Sequence, residues 1–245
     1  MISPFESVEY ILDSNDVDTR ERMSPVALCN IMQNLASRAA EKRGYGYTFI
    51  QNNNFVWVLV KISARIIKYP LWNEYVRLQT WVRGIDRIKT DRHFILYDKD
   101  ENEIAYAITE WAMIDYKQRR PQIIEKFVDK AKTLNDKSAN VNTPSKIKQL
   151  NNPVICFSRN IVYSDIDVNG HVSNVKYLEW FLDTYDYDFL HNNLLEEFEM
   201  NFLSECKFGQ SVNIFKEIIN NIHYGSIIRI TDNKEVFRIK LKWQL

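Results

Sequence analysis

The 245-residue sequence predicts an α+β fold made of two copies of one unit, each a helix wrapped by an antiparallel sheet. Three observations carry this expectation. A strong helix signal at residues 24–44 is followed by long strand-like segments between 55 and 115. The same order returns after residue 154. A polar segment also recurs, with Asp16-Val17-Asp18-Thr19-Arg20-Glu21-Arg22-Met23-Ser24 lying over Asp165-Ile166-Asp167-Val168-Asn169-Gly170-His171-Val172-Ser173. Each copy precedes the helix of its half, and such self-similarity marks a duplicated unit. A helix followed by a long antiparallel meander suggests a sheet curled around its own helix, which is the hotdog arrangement, here a tandem double hotdog.

In chain order, Ser7 to Leu12 reads as a strand. Ser24 then suits a helix N-cap and Pro25 the first helical position. Leu28, Ile31, Met32, Leu35 and Ala39 follow at helical spacing, and Gly44 suits the stop. Strands are expected at Phe55–Lys68, Tyr75–Arg83, Lys89–Tyr97 and Glu103–Asp115, the last two joined by the turn Asp98–Asn102. Residues 117–153 are rich in Lys, Asn and Gln and hold Pro121, Pro144 and Pro153, so they read as a connector with a short amphipathic helix near Ile123–Leu134. In the second half a strand covers roughly Val154–Tyr163. A helix begins near Asn174 and presents Val175, Leu178, Leu182 and Tyr185. Strands follow near Glu197–Cys206, Val212–Asn220, Tyr224–Thr231 and Glu235–Trp243, with Trp243 matching Trp111. The domain expectation is therefore 1–116, a connector at 117–153, and 154–245.

Composition excludes several classes. Lys+Arg and Asp+Glu are both 32, so bulk charge does not point to nucleic acid. Six glycines, with only Gly44 and Gly46 close together, cannot build a phosphate-cradling loop. Cys29, Cys156 and Cys206 are dispersed and odd in number, which suits free thiols in a reducing cytoplasm. No metal-ligand spacing occurs among the four histidines and three cysteines, so neither metal nor cofactor is expected. The N-terminus lacks a basic and then apolar region, so no signal peptide is expected. The longest apolar run, Phe55–Val60, is too short to span a bilayer.

The densest polar cluster is Asp165–Asn174, just before a helix N-terminus. Unpaired backbone N–H groups and the helix dipole there favour negative charge. Asn169 and His171 stand two residues apart in an irregular turn, where a carboxamide and an imidazole can aim at one atom, with Asp167 orienting either. The same residues also make an ordinary polar turn, with Asn174 as a helix cap. A calcium loop is excluded, because the twelfth position from Asp165 is Lys176, not glutamate. The internal repeat favours chemistry: Asp18 keeps the place of Asp167, but Arg20 replaces Asn169 and Arg22 replaces His171. One working site per chain, in the second half, follows. Glu205-Cys206 offers two partners for it: Glu205 as a general base for water, or Cys206 as a nucleophile with His171 and Asn169.

At these residues the chain resembles the acyl-ACP thioesterases, plant and bacterial hydrolases with a double hotdog fold. The family's Asp-x-Asn-x-His-x-x-Asn-x-x-Tyr pattern is met by Asp167, Asn169, His171, Asn174 and Tyr177, with Trp180 further along the helix. Glu205 follows His171 by 34 residues, as in the plant enzymes. The resemblance implies hydrolysis of a fatty acyl thioester in fatty acid biosynthesis, with Asn169, His171 and Glu205 catalytic and Asp167 supporting. Family mechanisms use either the cysteine or the glutamate, and Glu205 is the expectation here. The implied partner is the acidic acyl carrier protein (ACP) bearing a fatty acyl-phosphopantetheine, with Lys117, Arg119 and Arg120, or Arg38, Lys42 and Arg43, as docking cations. The acyl chain is expected in the first half. An acyl-CoA thioesterase and a non-catalytic acyl-binding hotdog protein are the alternatives. No plastid transit peptide is visible, which points to a bacterial, cytoplasmic protein. A double hotdog already contains the pairing that single hotdogs reach by dimerising, so a monomer and a homodimer both fit.

Overall fold

The computed structural model describes residues 4–127, 133, 134 and 136–244. They divide into two compact units between Pro144 and Ser145. In the first, α1 (Pro25–Lys42) starts where the Ser24 hydroxyl accepts the Ala27 N–H at 3.0 Å. It buries Leu28, Ile31, Met32, Leu35 and Ala39, the apolar stripe expected from the spacing. The chain leaves the helix through Gly44 at φ +82°, a left-handed conformation that costs glycine little. A second helix, α2 (Tyr47–Asn53), was not signalled by periodicity because it is only seven residues long.

The strands of this unit are β1 (Glu6–Ile11), β2 (Phe55–Ile66), β3 (Tyr75–Asp86), β4 (Lys89–Asp98), β5 (Glu103–Asp115) and the two-residue β6 (Arg120–Pro121). They run antiparallel in the order β1-β3-β4-β5-β2, with β6 on β5. The second unit holds β7 (Val154–Asn160), α3 (Asn174–Leu182), α4 (Tyr187–Asn192), β8 (Leu194–Phe202), β9 (Ser211–Ile219), β10 (Ile222–Arg229) and β11 (Lys234–Gln244). Its order, β7-β9-β10-β11-β8, reproduces the first. The repeat extends to irregularities. The β2–β5 ladder skips Val60 between Leu59, opposite Trp111, and Lys61. The β8–β11 ladder skips Glu196 between Leu195, opposite Trp243, and Glu197. A bulge shared by the halves fixes the twist at the same place in both sheets.

The helices differ. α3 has nine residues against eighteen in α1, and its buried face is Val175, Tyr177, Leu178, Trp180 and Phe181. Tyr185 therefore lies beyond the helix, not on it. The stop is local: the Thr184 hydroxyl donates to the Phe181 carbonyl at 2.8 Å, competing with helical continuation. Tyr185 turns away, its hydroxyl 2.8 Å from Nδ1 of His223.

Within residues 117–153 the described part is ordered by bonding to one unit or the other. In the first unit Leu134 N–H donates to the Val82 carbonyl, and Ala139 N–H to Nδ1 of His93. In the second, Ser145 and Ile147 bond Glu199 and Asn201. The amphipathic helix expected near Ile123–Leu134 is only a 3₁₀ turn at Ile124–Lys126 where described, and residues 128–132 lie outside the described residues. Among the described residues no helix is long and apolar enough to cross a membrane.

Candidate active site

The turn before α3 is organised by Asp167. One carboxylate oxygen, Oδ1, accepts the backbone N–H of Asn169 at 2.8 Å and that of His171 at 3.3 Å. The other, Oδ2, accepts from the Asn169 amide at 3.4 Å. The Asp167 N–H donates back to the His171 carbonyl at 2.8 Å, closing the turn, and Gly170 sits at φ +76° at its tip. A short acceptor at this place is required, because it alone can reach several N–H groups of its own turn. Behind it, buried Asp165 accepts the Val162 N–H at 2.9 Å and pairs with Arg159.

The turn is clamped to the loop after β8 by the Val172 N–H, which donates to the Cys206 carbonyl at 2.9 Å. That bond brings the second expected element to the first. Nε2 of His171 lies 3.3 Å from Oε2 of Glu205, with both side chains partly exposed, at 16% and 32%. Glu205 is not at a strand end as expected. β8 stops at Phe202, because Leu203 and Ser204 both direct their N–H groups to the Val236 carbonyl and bend the chain out of the ladder.

Cys206 is fully buried. Burial pushes its thiol up, against smaller lowering from Tyr177 and Arg229 beside it, so the thiolate a nucleophile needs is disfavoured. Arg229, which lies outside every motif of the sequence, donates from Nη1 to the Glu205 carbonyl and is held by an ion pair with Asp232. No sequence signal could have flagged it, since a single arginine on a strand is ordinary. A second feature concerns the helix start. Ser173 is the N-cap of α3, but its side chain makes no capping hydrogen bond, unlike Ser24 on α1. The site thus combines a carboxylate–imidazole pair able to move a proton, a carboxamide, and a helix N-terminus without a side-chain cap.

In the second basic cluster Arg38 and Lys42 are exposed. Arg43 is buried with Nη2 on the Pro4 carbonyl, and Lys42 pairs with Glu6 at 3.0 Å. Lys117, Arg119 and Arg120 are exposed.

Comparison with known proteins agrees with this architecture. Residues 5–130 match the acyl-ACP thioesterase N-terminal domain and residues 158–245 the C-terminal domain. The chain is 24% identical to an oleoyl-acyl carrier protein thioesterase of Coriandrum sativum and 24% to one of Arabidopsis thaliana, over 84% and 81% of its length. It spans 60% of each of these two relatives. Among solved structures, an acyl-ACP thioesterase from Bacteroides thetaiotaomicron superposes with a TM-score of 0.90 at 29% identity, covering 98% of both chains. The 12:0-ACP thioesterase of Umbellularia californica superposes with a TM-score of 0.83 at 18% identity, over 100% of this chain and 98% of the other, and shows the same double hotdog fold. With both family domains matched in order along it, the chain belongs to the acyl-ACP thioesterase family.

Proposed function

We propose that this protein is a hydrolase that cleaves the thioester of fatty acyl-ACP, releasing free fatty acid and holo-ACP in fatty acid biosynthesis. The single observation that carries the chemistry is the 3.3 Å approach of His171 Nε2 to Glu205 Oε2. Glu205 takes a proton from water, and the hydroxide oxygen attacks the thioester carbonyl carbon. The oxyanion is met by the N-terminus of α3 and by the Asn169 amide, which has a second N–H beyond the one directed at Asp167. Collapse breaks the carbon–sulfur bond, and the proton held by the Glu205–His171 pair passes to the departing thiolate. Asp167 keeps Asn169 and His171 in place. Cys206 takes no covalent part, in keeping with its burial.

In this reading the second unit is catalytic and the first takes the acyl chain, with residues 117–153 connecting them. Support for the acyl side is the aromatic cluster of half-buried Phe49 and Phe55 with exposed Phe127, their centroids 5.1–6.3 Å apart. A bacterial, cytoplasmic setting is part of the same proposal and suits three free cysteines.

The test is steady-state hydrolysis of an acyl-ACP panel of several chain lengths, with acyl-CoA controls, for the parent, Glu205→Ala and Cys206→Ala. The expected result is cleavage of acyl-ACP by the parent and by Cys206→Ala, and none by Glu205→Ala. Loss of activity in Cys206→Ala alone would restore the nucleophilic mechanism. A parent inert on both thioester classes would remove the hydrolase reading.

A further inference from the structure

The duplicated fold supplies its own control for what surrounds the site. Backbone bonding aligns Asp13, Ser14 and Thr19 of the first turn with Val162, Tyr163 and Val168 of the second. The N–H groups of Asp16 and Asp165 go to the carbonyls of Asp13 and Val162, and those of Asp18 and Asp167 to Arg22 and His171. All three positions are solvent-exposed in both halves. The first half fills them with polar residues, as turns ordinarily do. The second fills them with apolar ones, and Val168 is 95% exposed, Tyr163 86%. Scattered exposed apolar residues are normal. Three gathered on one catalytic turn, each matched to a polar counterpart, are not scattered.

The loop after β8 completes the patch. Gly209 N–H and Ile161 C=O, and Ile161 N–H and Gln210 C=O, bond at 3.1 and 2.8 Å, which sets Phe208 beside the start of the turn. Phe208 is 66% exposed. Its counterpart Trp72 is also exposed and apolar, so the loop alone does not distinguish the halves. Next to it, Lys207 stands where the first half has Leu71. It is exposed and carries no ion pair among the described residues.

We infer that Val162, Tyr163, Val168 and Phe208, with Lys207 at the rim, form the surface on which the acidic acyl carrier protein rests while its thioester is in the site. This rests on the hydrolase reading above. Two arguments select that occupant. Val168 lies between Asp167 and Asn169, so a permanent partner or second copy seated there would cover the site. Only a partner that arrives with each substrate and leaves with each product is compatible with turnover. A handful of apolar side chains beside a lysine also suits a small, transient interface with an acidic protein better than a stable one.

The experiment compares the parent with Tyr163→Ser/Val168→Thr, which imports the first half's residues, and separately with Phe208→Ser. Three readings are taken: KM and kcat for acyl-ACP, kcat/KM for the same acyl group on pantetheine, and affinity for acyl-free holo-ACP by fluorescence anisotropy. The expected result is an increase of about tenfold in KM for acyl-ACP and a matching loss of holo-ACP affinity. Hydrolysis of the pantetheine thioester and kcat stay at parent values. Parent-like holo-ACP affinity in both variants overturns the surface. So does an equal loss on both substrates, which marks a role in the site itself. A parent that binds holo-ACP but cleaves neither thioester defeats the hydrolase reading alone, and the variants' affinities still decide the surface. A parent that does not bind holo-ACP defeats the surface, whatever it does to acyl-pantetheine.

Discussion

The turn before α1 and the turn before α3 are the same object with different contents. In each an aspartate closes the turn onto the residue four positions on, Asp18 with Arg22 and Asp167 with His171, through matching backbone bonds. In each the same carboxylate oxygen collects two N–H groups, from Arg20 and Arg22 or from Asn169 and His171. In the first half the Arg22 side chain folds back onto Asp18 as an ion pair at 2.7 Å. In the second, His171 does not turn back onto its aspartate and faces Glu205 instead. Tyr69 occupies the place of Glu205, since Lys68 and Ser204 share the bulge that precedes it. At this position one copy turns its cation onto its own aspartate, and the other directs its imidazole to a separate loop. The turn is a shared scaffold, and the copies differ on it at two positions, Arg20 and Arg22 against Asn169 and His171.

The largest test of that contrast is to import the first half's solution. His171→Arg places a permanently protonated guanidinium beside Glu205, which can neither accept nor relay a proton. Acyl-ACP hydrolysis is expected to fall by about 10²–10⁴-fold in kcat. Hydrolysis within a few-fold of the parent would sink the proton-transfer role.

Next in size is the aspartate pair. Asp167→Asn loosens the hold on Asn169 and His171, and roughly a hundredfold loss of kcat is expected with the fold intact. Asp18→Asn breaks the pair with largely buried Arg22, so it should cost about 2 kcal/mol of stability and leave kcat unchanged. Urea titration and initial rates on both variants separate the effects. Similar activity losses in the two would mean that the halves do not divide the work.

The comparison also extends to the outer sheet face. His93 of β4 is buried against Trp81 and accepts the Ala139 N–H, whereas Tyr224 of β10 holds the corresponding place half-buried. Burial, helped by Arg83, presses His93 down from 6.5 to about 4. The unfolded chain then takes up a proton that the folded chain refuses. This residue's contribution is complete above about pH 6.5 and declines as pH falls toward 4, by about 3 kcal/mol in all. The parent's urea midpoint should drop across that window, and His93→Gln should flatten the slope. An unchanged slope would place the pH response elsewhere.

The smallest effect concerns the turn tips. Gly170 has φ +76° with open space where a Cβ would stand, and Glu21 holds the same place at φ 58°. Gly170→Ala should therefore cost only about 1 kcal/mol, as backbone strain and not as a clash. A cost several times larger, read by thermal melting, would mean that the second turn tolerates less than the first.

Much of this was legible in the chain. Ser24-Pro25 and the Leu28–Ala39 stripe mark α1, because capping and helical spacing are local. Alternation marks the strands, and the aligned Trp111 and Trp243 mark the duplication. The turn residues Asp167, Asn169 and His171 could be named because their chemistry and asymmetry are written within a few positions. The length of α3 was not legible, since Val175–Tyr185 keeps helical spacing. At its end the Thr184 hydroxyl bonds the Phe181 carbonyl and competes with helical continuation.

What the sequence alone determined, then, is what near neighbours in the chain decide: caps, periodicities, turn chemistry and the repeat itself. Tertiary structure decided the meeting of His171 with Glu205, the burial that pushes the Cys206 thiol up, and the Arg229 bond that anchors the Glu205 backbone. The reason is physical. Whether a side chain is solvated, and which charge lies a few ångströms away, depends on segments tens of residues distant that pack against it. Proton transfer depends on those distances, whereas a helix cap does not.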